Sequence, residues 1–179
     1  FASPGVPDVY QGSELMDLSL VDPDNRRPVD YTLRARLLDE LGKLGDPRPL
    51  LDTLQDGRAK LWITWRLLQL RQRLPELFRD GGYLPLAATG ARADHVVAFA
   101  RTHASGTLVA VAGRLYAKML GTKGTLPLGD AWGDTAVVLP AGIGALENVL
   151  TGERFEAAGG SLPLAQACAR FPVAALIAA

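Results

Sequence analysis

Pro4 to Tyr31 reads PGVPDVYQGSELMDLSLVDPDNRRPVDY, and its composition sets the organisation of everything around it. Gly5, Pro7, Gly12, Pro23 and Pro28 interrupt any long regular element, so Asp8, Gln11, Glu14, Asp22, Asn25, Arg26 and Arg27 are expected on a loop with defined bends. Loops of this kind, held by a rigid scaffold, commonly carry function. Val6 to Tyr10 reads as a short apolar strand that ends at Gln11-Gly12 and releases the chain into that loop. A strand end feeding a polar loop matches the rim of a (β/α) barrel, where the βα loops collect at the C-terminal ends of the strands.

Downstream of the loop the pattern is helical. Tyr31 to Leu44 carries Leu33, Leu37, Leu38, Leu41 and Leu44 at helical spacing and stops at Gly45, with Pro47 and Pro49 beyond. A short helix is expected over Leu50 to Gln55. Asp56-Gly57 opens the longest periodic segment, Arg58 to Leu74, with Leu61, Trp65 and Leu68 beside Leu67, Leu70 and Leu74 on a broad apolar face, and Pro75 ends it. Trp62 and Trp65 are expected in the core. Arg66, Arg71 and Arg73 do not share one narrow stripe, so they read as a solvated face with internal ion pairs.

After Phe78 the period changes. Gly81-Gly82 introduces short strands over Tyr83 to Ala87, Val96 to Thr102, Thr107 to Val111, Thr135 to Leu139, Ala145 to Leu150 and Pro172 to Ile177. Turns at Ala104-Ser105-Gly106, Ala141-Gly142, Thr151-Gly152 and Ala158-Gly159-Gly160 separate them, and Ala174 to Ala179 reads as a final strand with a frayed tail. The expected organisation is therefore residues 1–80 as the polar loop and helices, and residues 81–179 as an antiparallel β-sandwich.

Composition narrows the function. The 179 residues include 48% hydrophobic ones, enough for a real core in one domain or one and a half. Nineteen basic and nineteen acidic residues cancel, which argues against an electrostatic nucleic-acid partner. No apolar run reaches the roughly 18 residues that span a bilayer, so no membrane partner is expected and a cytoplasmic location is the default. Cys168 is alone and far in sequence from His95 and His103, so neither a disulfide nor a metal cluster is expected, and the thiol reads as a small buried apolar group.

The residues also support a closer comparison. GVPDVYQGSEL resembles the eighth-strand motif of the α-amylase family of glycoside hydrolases, a small-residue strand followed by an aromatic, a glycine and an acid. With SLVDPDNRRPVDY attached, it is similar to the maltooligosyl trehalose synthase branch of that family, as are GRAKLWITWRLLQLR, PELFRDGGYLPL and WGDTAVVLP to its C-terminal part. Met16 stands where that pattern has tryptophan, which bears on a sugar-stacking contact, and Gly113 stands where it has proline, which bears on a strand end.

The resemblance implies an α+β fragment: the last strand and helices of a (β/α)8 barrel in residues 1–80, then a β-sandwich C-terminal domain. It implies an intramolecular transglycosylase, (1→4)-α-D-glucan 1-α-D-glucosylmutase, acting on maltooligosaccharides without cofactor or metal. Retaining chemistry needs two carboxyl groups roughly 5 Å apart across the scissile bond, and in this family those acids lie on earlier barrel strands. No catalytic residue is therefore assigned here. The chain, beginning at Phe1, is expected to be a fragment that is inactive alone and whose partner is the N-terminal barrel of the same polypeptide.

The same resemblance implies sugar contacts from Tyr10, Gln11, Asp22, Asn25, Arg26 and Arg27, with Asp8 and Glu14 as hydrogen-bonding braces behind them. An arginine fork offers rigid donors to sugar hydroxyls or to an acid. Asp24, Asp30 and Arg34 read as structural groups of the loop. Two other readings stand beside this one: another α-amylase-family hydrolase or glucosidase fragment, and a non-catalytic β domain that either presents Trp132 or Tyr116 to glucan or serves only as a structural cap.

Overall fold

A computed structural model describes residues 1–121 and 126–178, so the expected fraying at Ala179 lies outside the described residues. Three helices come first. α1 (Tyr31–Gly42) starts where the Asp30 carboxylate accepts the Leu33 amide at 2.8 Å, satisfying one of the free donors of the first turn. α2 (Arg58–Arg73) starts at Gly57, whose φ of 78° and whose closeness to the Met16 amide (2.6 Å from where a Cβ would stand) admit only glycine. α2 stops because Leu74 precedes a proline and leaves the helical region (φ −127°, ψ 59°). Pro75 then opens α3 (Pro75–Arg79) instead of ending all helix, its missing amide being one that a first turn does not use.

The short helix expected over residues 50–55 is two separate 3-10 turns, Arg48–Leu51 and Leu54–Asp56. Pro49 removes a donor from the first, and Thr53 at φ −132° and ψ 46° breaks the path between them. Val6 to Tyr10 forms no strand. A strand needs a neighbour to complete its ladder, and among the described residues none lies beside this stretch.

Among the described residues nine strands follow. β1 (Gly82–Pro85), β3 (Val96–His103), β4 (Gly106–Gly113), β9 (Val173–Ala178), β6 (Ala145–Asn148) and β7 (Arg154–Glu156) form one antiparallel sheet in that spatial order. β2 (Ala88–Thr89), β5 (Ala136–Val138) and β8 (Ser161–Pro163) form a second. All six expected strands are present. β2, β7 and β8 escape sequence reading because two or three residues cannot display an alternation. Two short helices, α4 (Tyr116–Leu120) and α5 (Leu164–Ala167), lie in the connections.

The alternation of β4 and β9 places a core on each face of the large sheet. Leu108, Val173, Ala175 and Ile177 meet Leu61, Trp62, Leu67, Leu70, Leu77 and Phe78 of the helices. Val109, Val111, Ala174 and Leu176 meet Trp132, Val137, Leu162 and Leu164 across the small sheet. The molecule is thus α+β, with helices, large sheet and small sheet in three layers. Strands replace helices at Gly82, yet the first core runs through that point. Gly81 makes the change of direction, since a Cβ there would lie 2.1 Å from the Leu77 carbonyl.

Polar side chains seat the helices on the sheet. Trp62 Nε1 donates to the Leu150 carbonyl at 3.0 Å and Arg66 Nε to that of Val149 at 2.9 Å. Trp62 is buried while Trp65, standing edge-on to it at 5.5 Å, is only partly covered. The expected ion-paired arginine face is therefore wrong for Arg66 and Arg71, which donate to backbone carbonyls. The α2 face is already committed to packing, and carbonyls at the edge of that packing need donors. On the other side of the sheet, burial pushes the Cys168 thiol up to about 12, so it remains a neutral apolar group. Gly113 is explained by Tyr116, whose ring lies 2.3 Å from where a Cβ would stand.

Candidate functional site

The first thirty residues contain almost no regular hydrogen bonding, and their path is set by side chains from the helices. Arg34 of α1 donates from Nη2 to the Gly12 carbonyl at 2.6 Å and from Nε to Glu14 at 2.9 Å. Glu14 Oε2 also accepts the Gly12 amide at 3.0 Å. Burial works against the charged form of Glu14, but the amide donors and Arg34 outweigh it and hold the carboxyl below the usual carboxylate range. Lys60 of α2 donates to the Leu15 carbonyl at 3.0 Å, and Gly57 lets the helix start lie directly against Leu15 and Met16.

The loop so held encloses an open depression of about 450 Å³, within the range of small-molecule sites. Gln11, Asp17, Asn25, Arg27, Asp30 and Met16 are among its lining. Asp17 accepts both the amide (2.9 Å) and the hydroxyl (2.6 Å) of Ser19, which hold its carboxyl below the usual range. Arg27 pairs with Asp24, whose other oxygen accepts the Leu20 amide at 2.8 Å. The wall therefore presents carboxylate and amide acceptors, guanidinium and amide donors, and the flexible Met16 side chain. That mixture suits a polyhydroxylated ligand, which needs many donors and acceptors at once.

The expected sugar-contact residues divide into two groups. Gln11, Asn25 and Arg27 line the depression. Tyr10 is 70% exposed, while Asp22 and Arg26 are exposed and pair with each other; these three are not among its lining. Asp8 is exposed, whereas Glu14 lies behind the wall in contact with Gly12 and Arg34. Sequence reading missed Asp17, Ser19, Lys60 and Gly57. Asp-x-Ser is a visible local turn signal, but Lys60 and Gly57 are distant in sequence from the loop that they hold. Among the described residues no group of three or more His, Cys, Asp or Glu side chains is placed to hold a metal ion, and no helix is long and apolar enough to cross a membrane.

No protein-family model matches the chain. Two curated relatives, from two strains of Mycobacterium tuberculosis, are each 42% identical to it over 175 residues, covering 97% of this chain and 19% of their own length, and both are named as maltooligosyl trehalose synthases. Its homologues are maltooligosyl trehalose synthases. A solved maltooligosyltrehalose synthase from Arthrobacter ramosus agrees: 39% identity, a TM-score of 0.75, and coverage of 98% of this chain and 20% of that one. A further maltooligosyl trehalose synthase structure has 27% identity and a TM-score of 0.65 over the same shares. The chain spans about one fifth of the length of these synthases and matches their C-terminal part. The glucan-binding reading of the sheets loses its main residue, because Trp132 is 0% exposed and its Nε1 donates to the Pro127 carbonyl at 3.1 Å.

Proposed function

We propose that this chain serves as the C-terminal part of a maltooligosyl trehalose synthase. The reaction moves the reducing-end glucose of a maltodextrin from an α-1,4 to an α,α-1,1 bond. Cleavage leaves a glycosyl-enzyme intermediate and a free glucose, and the anomeric hydroxyl of that glucose attacks the glycosyl carbon, so no water is consumed. The carboxylates that carry out both displacements belong to the preceding part of the polypeptide, a (β/α)8 barrel to which residues 1–80 contribute the final portion. The exposure of Val6 (92%), Leu20 (77%) and Val21 (84%) supports this, since such apolar side chains are suited to packing against that body.

One observation carries the reading of the site: the loop of residues 11–30, in a chain so similar to these synthases, lines an open polar depression. In this reading the loop forms part of the wall that keeps the freed glucose from water. No cofactor or metal is needed. Residues 81–179 act as a brace for the barrel, and the polypeptide is an enzyme of the cytoplasm.

Arg27→Ala in the full-length synthase tests the assignment. Loss of one charge-assisted hydrogen bond costs about 1.5 to 3 kcal/mol, or roughly 10- to 150-fold in turnover if the bond forms in the transition state. Thermal stability is expected to stay close to that of the parent, because Arg27 is 74% exposed and exposed pairs contribute little. Arg26→Ala, at a residue that does not line the depression, is expected to have the smaller effect on turnover. A larger loss for Arg26→Ala than for Arg27→Ala would show that the depression is not the sugar site.

A further inference from the structure

The freed glucose has to turn before its anomeric hydroxyl faces the glycosyl carbon, so a wall that excludes water must also yield to the sugar. Met16 is placed to do both. It lines the polar depression and also a second, apolar groove of about 280 Å³. Leu51, Leu54, Ile63 and Phe171 are among the residues around that groove, and its polar members are Thr64 and Lys60, whose ammonium is spent on the Leu15 carbonyl.

The backbone at this point is fixed from within the chain. Leu15 is 8% exposed in the core of the helices, Lys60 Nζ donates to its carbonyl at 3.0 Å, and Gly57 lies directly against the Met16 amide. Only the side chain remains free to choose, and it is 50% exposed. Methionine has three rotatable side-chain bonds, no branch at Cβ and a polarisable thioether that adapts to irregular apolar surfaces. Turned toward the depression, it offers a soft apolar contact to the C–H face of a pyranose ring. Turned into the groove, it gives that space back. A polar side chain would lose its hydrogen bonds in making the second move.

We propose that Met16 is the movable part of the wall, a specificity-determining residue that sets whether the glycosyl-enzyme is taken by the retained glucose or by water. The inference rests on the reading of the loop as the sugar site. With Met16 in the groove, the glucose turns and its anomeric hydroxyl attacks, giving the α,α-1,1 bond. With the wall unable to yield, the glucose stays misaligned and water attacks the same carbon, leaving glucose and a maltodextrin one unit shorter. In either case the bond to the enzyme carboxylate breaks as the new C–O bond forms, and the proton of the attacking hydroxyl or water passes to the acid–base carboxylate.

The test uses the full-length synthase on maltopentaose with Met16→Ile and Met16→Leu, and measures glucose released per non-reducing product formed, beside kcat and Tm. The two replacements are isomers that differ only in where they branch. Isoleucine is restricted at χ1, so it clears the depression only by leaving its rotamer, at a factor of roughly 3 to 10. Met16→Ile is expected to raise the ratio of glucose to non-reducing product about 3- to 10-fold and to lower kcat for the rearrangement by a similar factor, whereas Met16→Leu stays within about twofold of the parent. Both keep a Tm close to that of the parent, because the site is half exposed. Equal ratios in the two variants, or a higher one for Met16→Leu, overturn the proposal and leave Met16 a static apolar contact. If the unsubstituted synthase forms no non-reducing product, the sugar reading itself fails and this inference falls with it.

Discussion

Trp132→Ala is expected to destabilise the protein by about 3 to 5 kcal/mol, the usual cost of removing a large aromatic from a core. The indole is 0% exposed, packs between the two sheets, and satisfies the Pro127 carbonyl, which would lose its donor as well. At this chain length that corresponds to a fall in Tm of about 6 to 20 °C. Trp65→Ala should cost less, because Trp65 is only partly covered and leans on Trp62 without lying in the packed layer. Thermal melts of the two variants check the ranking. A normal melt for Trp132→Ala, with weakened binding of maltoheptaose, would restore the view that the sheets present a glucan platform.

Arg101→Met should be the most damaging change to a charged residue. Methionine approximates the length of the side chain but leaves the carbonyls of Phe78, Gly81 and Gly82 without a donor. An unmet buried acceptor costs about 1 to 3 kcal/mol; the Phe78 carbonyl is buried and those of Gly81 and Gly82 are only partly so, and a loss of about 1 to 3 kcal/mol is expected. Denaturant unfolding measures it. The effect should exceed that of removing either member of the Arg154–Glu147 pair, where the arginine is 79% exposed and the interaction is screened. A loss below about 1 kcal/mol would mean that water takes over the three carbonyls and that Arg101 does not hold the turn between α3 and β1.

These two residues show what the sequence could and could not convey. Helices α1 and α2 and the longer strands are legible because their apolar periods run for several turns or several alternations. Trp132 sits among Gly129, Asp130, Ala131 and Gly133, a run that reads as an exposed turn, and only the small sheet closing over it makes it core. Arg101 occupies a position on β3 that faces the helices, where alternation leads one to expect an apolar side chain; it is tolerated because carbonyls from α3 and the following turn converge on it.

The polar loop was legible as a loop from its glycines and prolines; of the six sugar contacts expected on it, Gln11, Asn25 and Arg27 line the depression and Tyr10, Asp22 and Arg26 do not. The supports of the loop were not legible. Lys60 lies 45 residues from Leu15 and Arg71 lies 70 from Phe1, so no local pattern could join them. The expected strand over Val6 to Tyr10 fails for a related reason: a strand is a property of two neighbouring segments, and apolar composition supplies only one of them.

Transglycosylation is tested by following the reducing ends of maltopentaose in the presence of the full-length polypeptide carrying this segment and, separately, of the isolated chain. The full-length polypeptide is expected to remove reducing ends without releasing glucose, because the bond is rearranged and not hydrolysed, and the isolated chain is expected to leave the substrate unchanged. New reducing ends from the full-length polypeptide would contradict transglycosylation and identify a hydrolase, and any product formed by the isolated chain would contradict the assignment of the catalytic carboxylates to the rest of the protein.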